Sequence, residues 1–187
     1  MQEIWARIES WLAANAPQLL DTLQPGASET QIKAVEAVLG IQFPKEVRAS
    51  YRIHNGQSAY DYGLLDGHEL LSLERIQEEW KIWKDLLDGG DFNGEKSDAD
   101  PGIRSDWWNA QWIPLTYDGA GNHDCLDLNP GEGGNRGQII EMWHDAPERV
   151  IVASSFREWL EQYATGLESG EFIFSEEGNG IVNADDL

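Results

Sequence analysis

Apolar side chains recur at helical spacing from the start of the chain. Ile4, Trp5, Ile8, Trp11 and Leu12 form one stripe, so residues 2–14 read as an amphipathic helix. Pro25-Gly26 marks a turn. Ser28, with Gln31 three residues on, forms a capping box that opens a second helix; Ile32, Val35, Val38 and Leu39 mark its buried face, and Gly40 is its left-handed terminator. Pro44 opens a third helix with Val47 and Tyr51 facing inward and Ile53 as a further inward position, and Asn55-Gly56 ends it.

The pattern then changes period. Tyr60–Leu65 and Glu69–Leu73 read as two short strands around Asp66-Gly67, a hairpin-type dipeptide. Ile76, Trp80, Trp83 and Leu87 return to helical spacing, whereas residues 88–105 are rich in Gly, Asp, Asn and Ser without an apolar period and read as a loop. Trp112–Thr116, Asp124–Leu128 and Gln138–Trp143 are strands separated by turn residues, the last with Ile139 and either Met142 or Trp143 on its buried side; Val150–Ala153 is one more strand or an edge. Ser155 and Glu158 form a second capping box ahead of a helix with Phe156, Trp159, Leu160, Tyr163 and Leu167 on its apolar face, closed by Gly170. Phe172-Ile173-Phe174 can pair with a sheet edge before a polar tail. These elements predict an α+β fold, an antiparallel β-sheet of about four to six strands flanked by N-terminal and C-terminal helices. Residues 1–170 are expected to form one domain with an acidic loop at 88–108, and residues 171–187 an acidic tail.

Charge sharpens this outline. The 187 residues hold 34 Asp+Glu against 13 Lys+Arg, a net charge of −21. Phosphate neutralisation requires Lys and Arg that this chain lacks, which argues against nucleic-acid binding and, likewise, against anionic membrane surfaces. The single cysteine, Cys125, precludes an internal disulfide. No apolar run approaches a membrane span, and the first residues lack the basic head of a signal peptide, so a cytoplasmic location is expected. Residues 85–106, 118–134 and 171–187 together carry −14 of the −21, leaving a framework of ordinary charge. Such patches steer a partner of opposite sign.

Candidate chemistry is sparse. His123, Asp124 and Asp127 lie in or beside an oxygen-rich turn at 118–122, but EF-hand spacing and zinc-type histidine pairs are both absent, and strand alternation puts Asp124 with Leu126 on one face and Cys125 with Asp127 on the other. There is no Gly-x-Ser-x-Gly elbow, Cys125 reads as a buried inert thiol, and the Gly131–Gly137 run lacks a Walker lysine and reads as a hairpin. No catalytic residue, metal or cofactor is therefore expected. Trp107 and Trp108 stand apart from the helical tryptophans, because adjacent indoles on a strand point to opposite sides, leaving one of them as a surface anchor.

The order of several segments carries more information than any one of them. Pro25-Gly26-Ala27-Ser28-Glu29, Leu39-Gly40-Ile41-Gln42-Phe43-Pro44, His54-Asn55-Gly56, Trp112-Ile113-Pro114-Leu115, Gly121, Leu126-Asp127-Leu128-Asn129-Pro130, Gly137-Gln138-Ile139 and Ser155-Phe156-Arg157-Glu158-Trp159-Leu160 follow one another in a sequence that resembles the SUKH superfamily. That superfamily includes yeast cell-wall synthesis regulators of the Smi/Knr type and bacterial immunity proteins. The resemblance runs over roughly residues 4–168, with 88–108 and the segment after Gly170 looking like additions. It implies a non-enzymatic protein-binding role. Combined with the charge, the expected function is an immunity protein that neutralises a basic, nuclease-type toxin through Asp91, Asp98, Asp100, Asp106 and Glu132, with Trp107 or Trp108 as anchor. The alternative is a regulatory scaffold for endogenous proteins, and a third reading is a carbohydrate-active or metal-dependent enzyme.

Overall fold

Helix formation follows the local signals closely. The computed structural model describes residues 1–58 and 62–187. Helix α1 (Gln2–Asn15) buries Ile4, Trp5, Ile8 and Leu12, with Trp11 at the margin, and a single turn, α2 (Pro17–Leu20), follows at a proline the apolar pattern did not flag. Helix α3 (Glu29–Leu39) carries the complete Ser28–Gln31 capping box, and Gly40 terminates it at φ +68°. After α4 (Lys45–Tyr51), the chain does not simply turn at Asn55-Gly56: His54–Gln57 forms strand β2, antiparallel to β1 (Leu23–Pro25).

Strand β2 is a hub because its buried polar side chains satisfy distant backbone. Asn55 Oδ1 accepts from the Leu73 amide, while Gln57 Oε1 accepts from the amides of Leu64 and Leu70 and its Nε2 donates to Thr22 and the Tyr62 carbonyl. Both side chains are buried, where an unmet polar group would cost about 1–3 kcal/mol.

The main sheet has the order β4-β9-β8-β7-β5, built from β4 (Asp98–Ala99), β5 (Trp112–Pro114), β7 (His123–Asp127), β8 (Gln138–Met142) and β9 (Glu148–Ala153). Neighbours are antiparallel except that β4 runs parallel to β9 at the edge. Two short strands, β3 (Glu69–Leu70) and β6 (Thr116–Tyr117), pair separately, so Glu69–Leu70 joins the chain near residue 116 rather than the segment before Asp66. The expected strand at Tyr60–Leu65 lies partly outside the described residues; Leu65 and His68 bridge across Asp66 and Gly67, whose φ values of 51° and 73° fit a tight hairpin turn. Helix α5 (Leu73–Gly89) and helix α6 (Phe156–Ser169) complete the framework.

Both faces of the sheet are covered. His123 on one face meets Trp83 of α5, and Asp124 on the other looks toward Trp159 of α6. Leu126, Cys125, Ile139 and Ile140 consequently have no exposed surface on either side. Met142 takes the buried position at the end of β8, and Trp143 stays 46% exposed. The second capping box is half realised: Ser155 accepts from the Glu158 amide, but the Glu158 carboxylate reaches back to Ser154 instead.

Two segments that look like additions in the sequence are ordered parts of the fold. The 88–108 stretch is held by β4 and by the buried Ser97, Ile103 and Trp108. Its Gly102 carbonyl accepts from the Gly131 amide and from Gln138 Nε2, and a side chain at Gly134 would overlap that same carbonyl. The C-terminal stretch folds into a hairpin of β10 (Phe172–Ser175) and β11 (Gly180–Asn183), which buries Ile181 and bonds through Asn179 and Ile181 to Gly63 and Gly67. It does not extend the edge of the main sheet.

Gly56 sits at φ +68°, and a β-carbon added there would come within 2.5 Å of the Leu71 backbone, whereas Gly40 has the same φ and open space around it. Gly56→Ala should therefore lower the unfolding free energy by about 3 kcal/mol or more, against about 1 kcal/mol for Gly40→Ala, as read from urea denaturation midpoints.

Candidate interaction surface

The region around the acidic segment is organised by a buried cation. Arg149 on β9 has no exposed surface, yet among the described residues no carboxylate pairs with it. Its guanidinium donates to the carbonyls of Ala146 (2.7 Å), Glu148 (2.6 Å) and Trp107 (2.8 Å), and it lies 5.3 Å from the centroid of the Trp107 ring. Burial lowers its proton affinity below the ordinary guanidinium value, and carbonyl dipoles with the indole face supply the compensation a carboxylate would otherwise give.

This anchoring splits the two adjacent indoles. Trp108 turns inward, only 3% exposed, stacking on Trp83 at 6.1 Å and tilting against Trp80 at 6.4 Å. The expectation that Trp108 could serve as a surface anchor is thereby corrected: α5 presents two indoles that pack against it and hold it inside. Trp107 remains half-buried beside Arg149 and is the indole with surface to offer.

The predicted acidic residues divide in the same way. Asp91, Asp98 and Glu132 are exposed and form no ion pair among the described residues. Asp100 is exposed but accepts from the Ile151 amide at 3.1 Å, tying the edge strand to β9. Asp106 is committed internally, since burial opposes its ionisation but hydrogen bonds from Asn109 and Arg104 hold its carboxyl below the usual range. Asp91, Asp98, Glu132 and Trp107 are thus the members of the predicted set left facing solvent with free groups.

The residues of the 118–127 turn do not converge. Asp118 folds its carboxylate onto the amides of Ala120, Gly121 and Asn122, leaving little for a cation. His123 donates from Nδ1 to the Thr116 carbonyl (2.6 Å) and accepts at Nε2 from Trp83 (3.2 Å); burial lowers its pKa to about 4, so it is neutral at pH 7. Asp127 is buried and accepts from the Asn129 amide and from Gln138 Nε2, closing the base of the 128–137 loop. Cys125 is fully buried, which pushes its thiol pKa well above the ordinary value, as expected of an inert core thiol. No group of three or more metal-binding side chains occurs among the described residues.

Asp124, which sequence reasoning weighed only as a metal ligand, has the more unusual setting. It faces Glu141 directly across the β7–β8 register, and burial, with added repulsion from Glu141 and Asp66, raises its pKa to about 7. Adjacent acids on paired strands become visible only once the register is known. Because an unfolded aspartate titrates near about 3.9, the folded state prefers the protonated form. Stability from this group is complete at acid pH and is lost as pH rises toward about 7. Asp124→Asn should abolish that loss, gaining about 2 kcal/mol on the unsubstituted chain between about pH 5 and about pH 8, measured by denaturation at each pH.

Residues 26–162 match the model of the SMI1 / KNR4 family (SUKH-1). Similar proteins include the cell wall biosynthesis/cell cycle regulator smi1 of Schizosaccharomyces pombe, 29% identical over 97% of this chain and 39% of the relative. The cell wall assembly regulator SMI1 of Saccharomyces cerevisiae is 26% identical over 97% of this chain and 43% of its own length. A glucan synthesis regulatory protein of Neurospora crassa is 28% identical over 95% of this chain and 40% of its own length. The chain thus spans about two fifths of the length of these relatives. All three are named as fungal regulators, and the bacterial immunity role and basic toxin partner expected above find no support among them. With the matched region covering α3 through the first half of α6, the chain belongs to the SMI1/KNR4 family of the SUKH type.

Proposed function

We propose that the chain is a non-enzymatic interaction domain of a regulatory protein, which docks a positively charged partner protein through the edge formed by Asp91, Asp98, Glu132 and Trp107. The observation that carries this reading is that those carboxylates are exposed without an ion pair among the described residues, while the half-buried indole of Trp107 lies against the Arg149 guanidinium, which also binds its carbonyl. A preorganised aromatic anchor with a rim of one charge sign favours fast, specific association. The regulatory names of the relatives support the scaffold reading over the toxin-neutralising one. The inert Cys125, the neutral His123 and the internally bonded Asp118 and Asp127 all argue against turnover at the sites where chemistry was sought.

The test starts from proteins retained by the tagged chain in its native cells. A triple Asp91→Lys, Asp98→Lys, Glu132→Lys variant should slow association with the retained partner about tenfold at low salt and flatten its salt dependence. Trp107→Ala should mainly hasten dissociation. Unchanged association kinetics in the triple variant would remove this edge from the interface.

A further inference from the structure

A second surface, sharing no residue with that edge, is a trough of about 710 Å³ between α6, the β7–β8–β9 face and the Asp66 turn. Six carboxylates line it: Asp66, Asp124, Glu141, Glu158, Glu161 and Glu171. No Lys or Arg is among its lining residues, and His68 is its one titratable base. Trp159, Tyr163 and Phe172 give it an aromatic wall. Glu158 is partly spent on Ser154, but Asp124 and Glu141 face each other with no cation between them.

The trough continues onto open sheet. Val152 lines it at 39% exposure; Val150, two residues back on the same face, is 43% exposed, and Trp143 lies two residues beyond Glu141. Three of the seven exposed large apolar side chains among the described residues are thus Val150 and Val152 on β9 and Trp143 just past the end of the adjacent β8, where the sheet runs into an acidic hollow. A small organic cation could fill the hollow but would leave that apolar strip in water. A polypeptide segment covers both, and a long basic side chain matches the depth of the site, with its stem on the aromatic rings and its head among carboxylates.

We propose that this trough receives a Lys or Arg side chain from a linear segment of a partner protein, with aliphatic neighbours of that residue packing on Val152, Val150 and Trp143. The inference rests on the reading of the chain as a docking domain for a positively charged protein and adds a second, sequence-reading contact to it. A cation between Asp124 and Glu141 supplies the counter-charge that these two facing acids lack.

The experiment is selection of a randomised linear peptide library, displayed on phage, against the full chain, followed by affinity measurement on the selected peptides. The expected consensus has Lys or Arg flanked by aliphatic residues. Replacing that residue by citrulline or norleucine should weaken binding about tenfold or more. Val152→Lys, at an exposed position that tolerates the change, and Glu141→Gln should each do the same, while the Asp91/Asp98/Glu132 triple variant should retain affinity. Far-ultraviolet circular dichroism and melting checks that each variant is folded. A selected consensus without a basic residue, or peptides that bind the Val152→Lys variant as well as the parent, would overturn the proposal. Loss of binding in the edge variant with retention in Val152→Lys would overturn it too while leaving the docking role intact. Spermidine competing at micromolar concentration, with no cationic peptide selected, would assign the trough to a small cation instead.

Discussion

The buried guanidinium of Arg149 is the constraint on which the acidic side of this molecule depends. Three carbonyls from two separate stretches of chain converge on it, at Ala146, Glu148 and Trp107. A cation so deeply placed tolerates no partner exchange with water, so it fixes the end of the 88–108 stretch against β9. From that fixed point, Trp108 drops between the α5 indoles, Trp107 lies beside the guanidinium, and β4 closes the sheet edge in parallel register. Without it, the excess negative charge of this stretch would favour an expanded, solvated loop.

The distribution of ion pairs explains why so many acids remain available. Among the described residues, nine of the thirteen Lys and Arg residues are engaged in ion pairs, several within one helix or between α3 and the α4 region, such as Arg48 and Arg52 with Glu29, or Lys81 and Lys84 with Asp85 and Asp88. The bases therefore stabilise the helical framework locally and leave Asp98, Asp124 and Glu141 without an ion-pair partner among the described residues. Exposed pairs of this kind contribute little stability, about 0–1 kcal/mol each. Their larger consequence is where they leave charge unopposed.

The segments that carry the family resemblance turn out to have structural roles. Ser28 caps α3, Gly40 ends it, Asn55 and Gln57 bind distant amides, Gly56 leaves room for the Leu71 backbone, and Asp127 closes a loop. A pattern made of caps, turns and buried acceptors identifies the fold and is silent about the interface. That is why a resemblance extending over most of the chain led to a correct architecture and to a partner class that the named relatives do not support.

Periodicity and caps were legible because they are local. The stripe of α1, the box at Ser28–Gln31, the glycine stops at 40 and 170, the β7 alternation and the burial of Cys125 all depend on residues within a few positions of one another. The missed strand at His54–Gln57 has no alternating apolar pattern, since its buried positions are Asn, Gly and Gln, of which the two amides are held by hydrogen bonds to remote backbone. The acidic stretch reads as structureless for the same reason: its order comes from Pro147, Arg149 and Gly131, far along the chain. By itself the sequence determined the helices other than the short α2, the central hairpin strands and the sign of the charge. Which indole is hidden, which carboxylates are free, and that Asp66, Asp124 and Glu171 share one hollow were decided only by the tertiary structure, because those facts are set by pairings between residues dozens of positions apart.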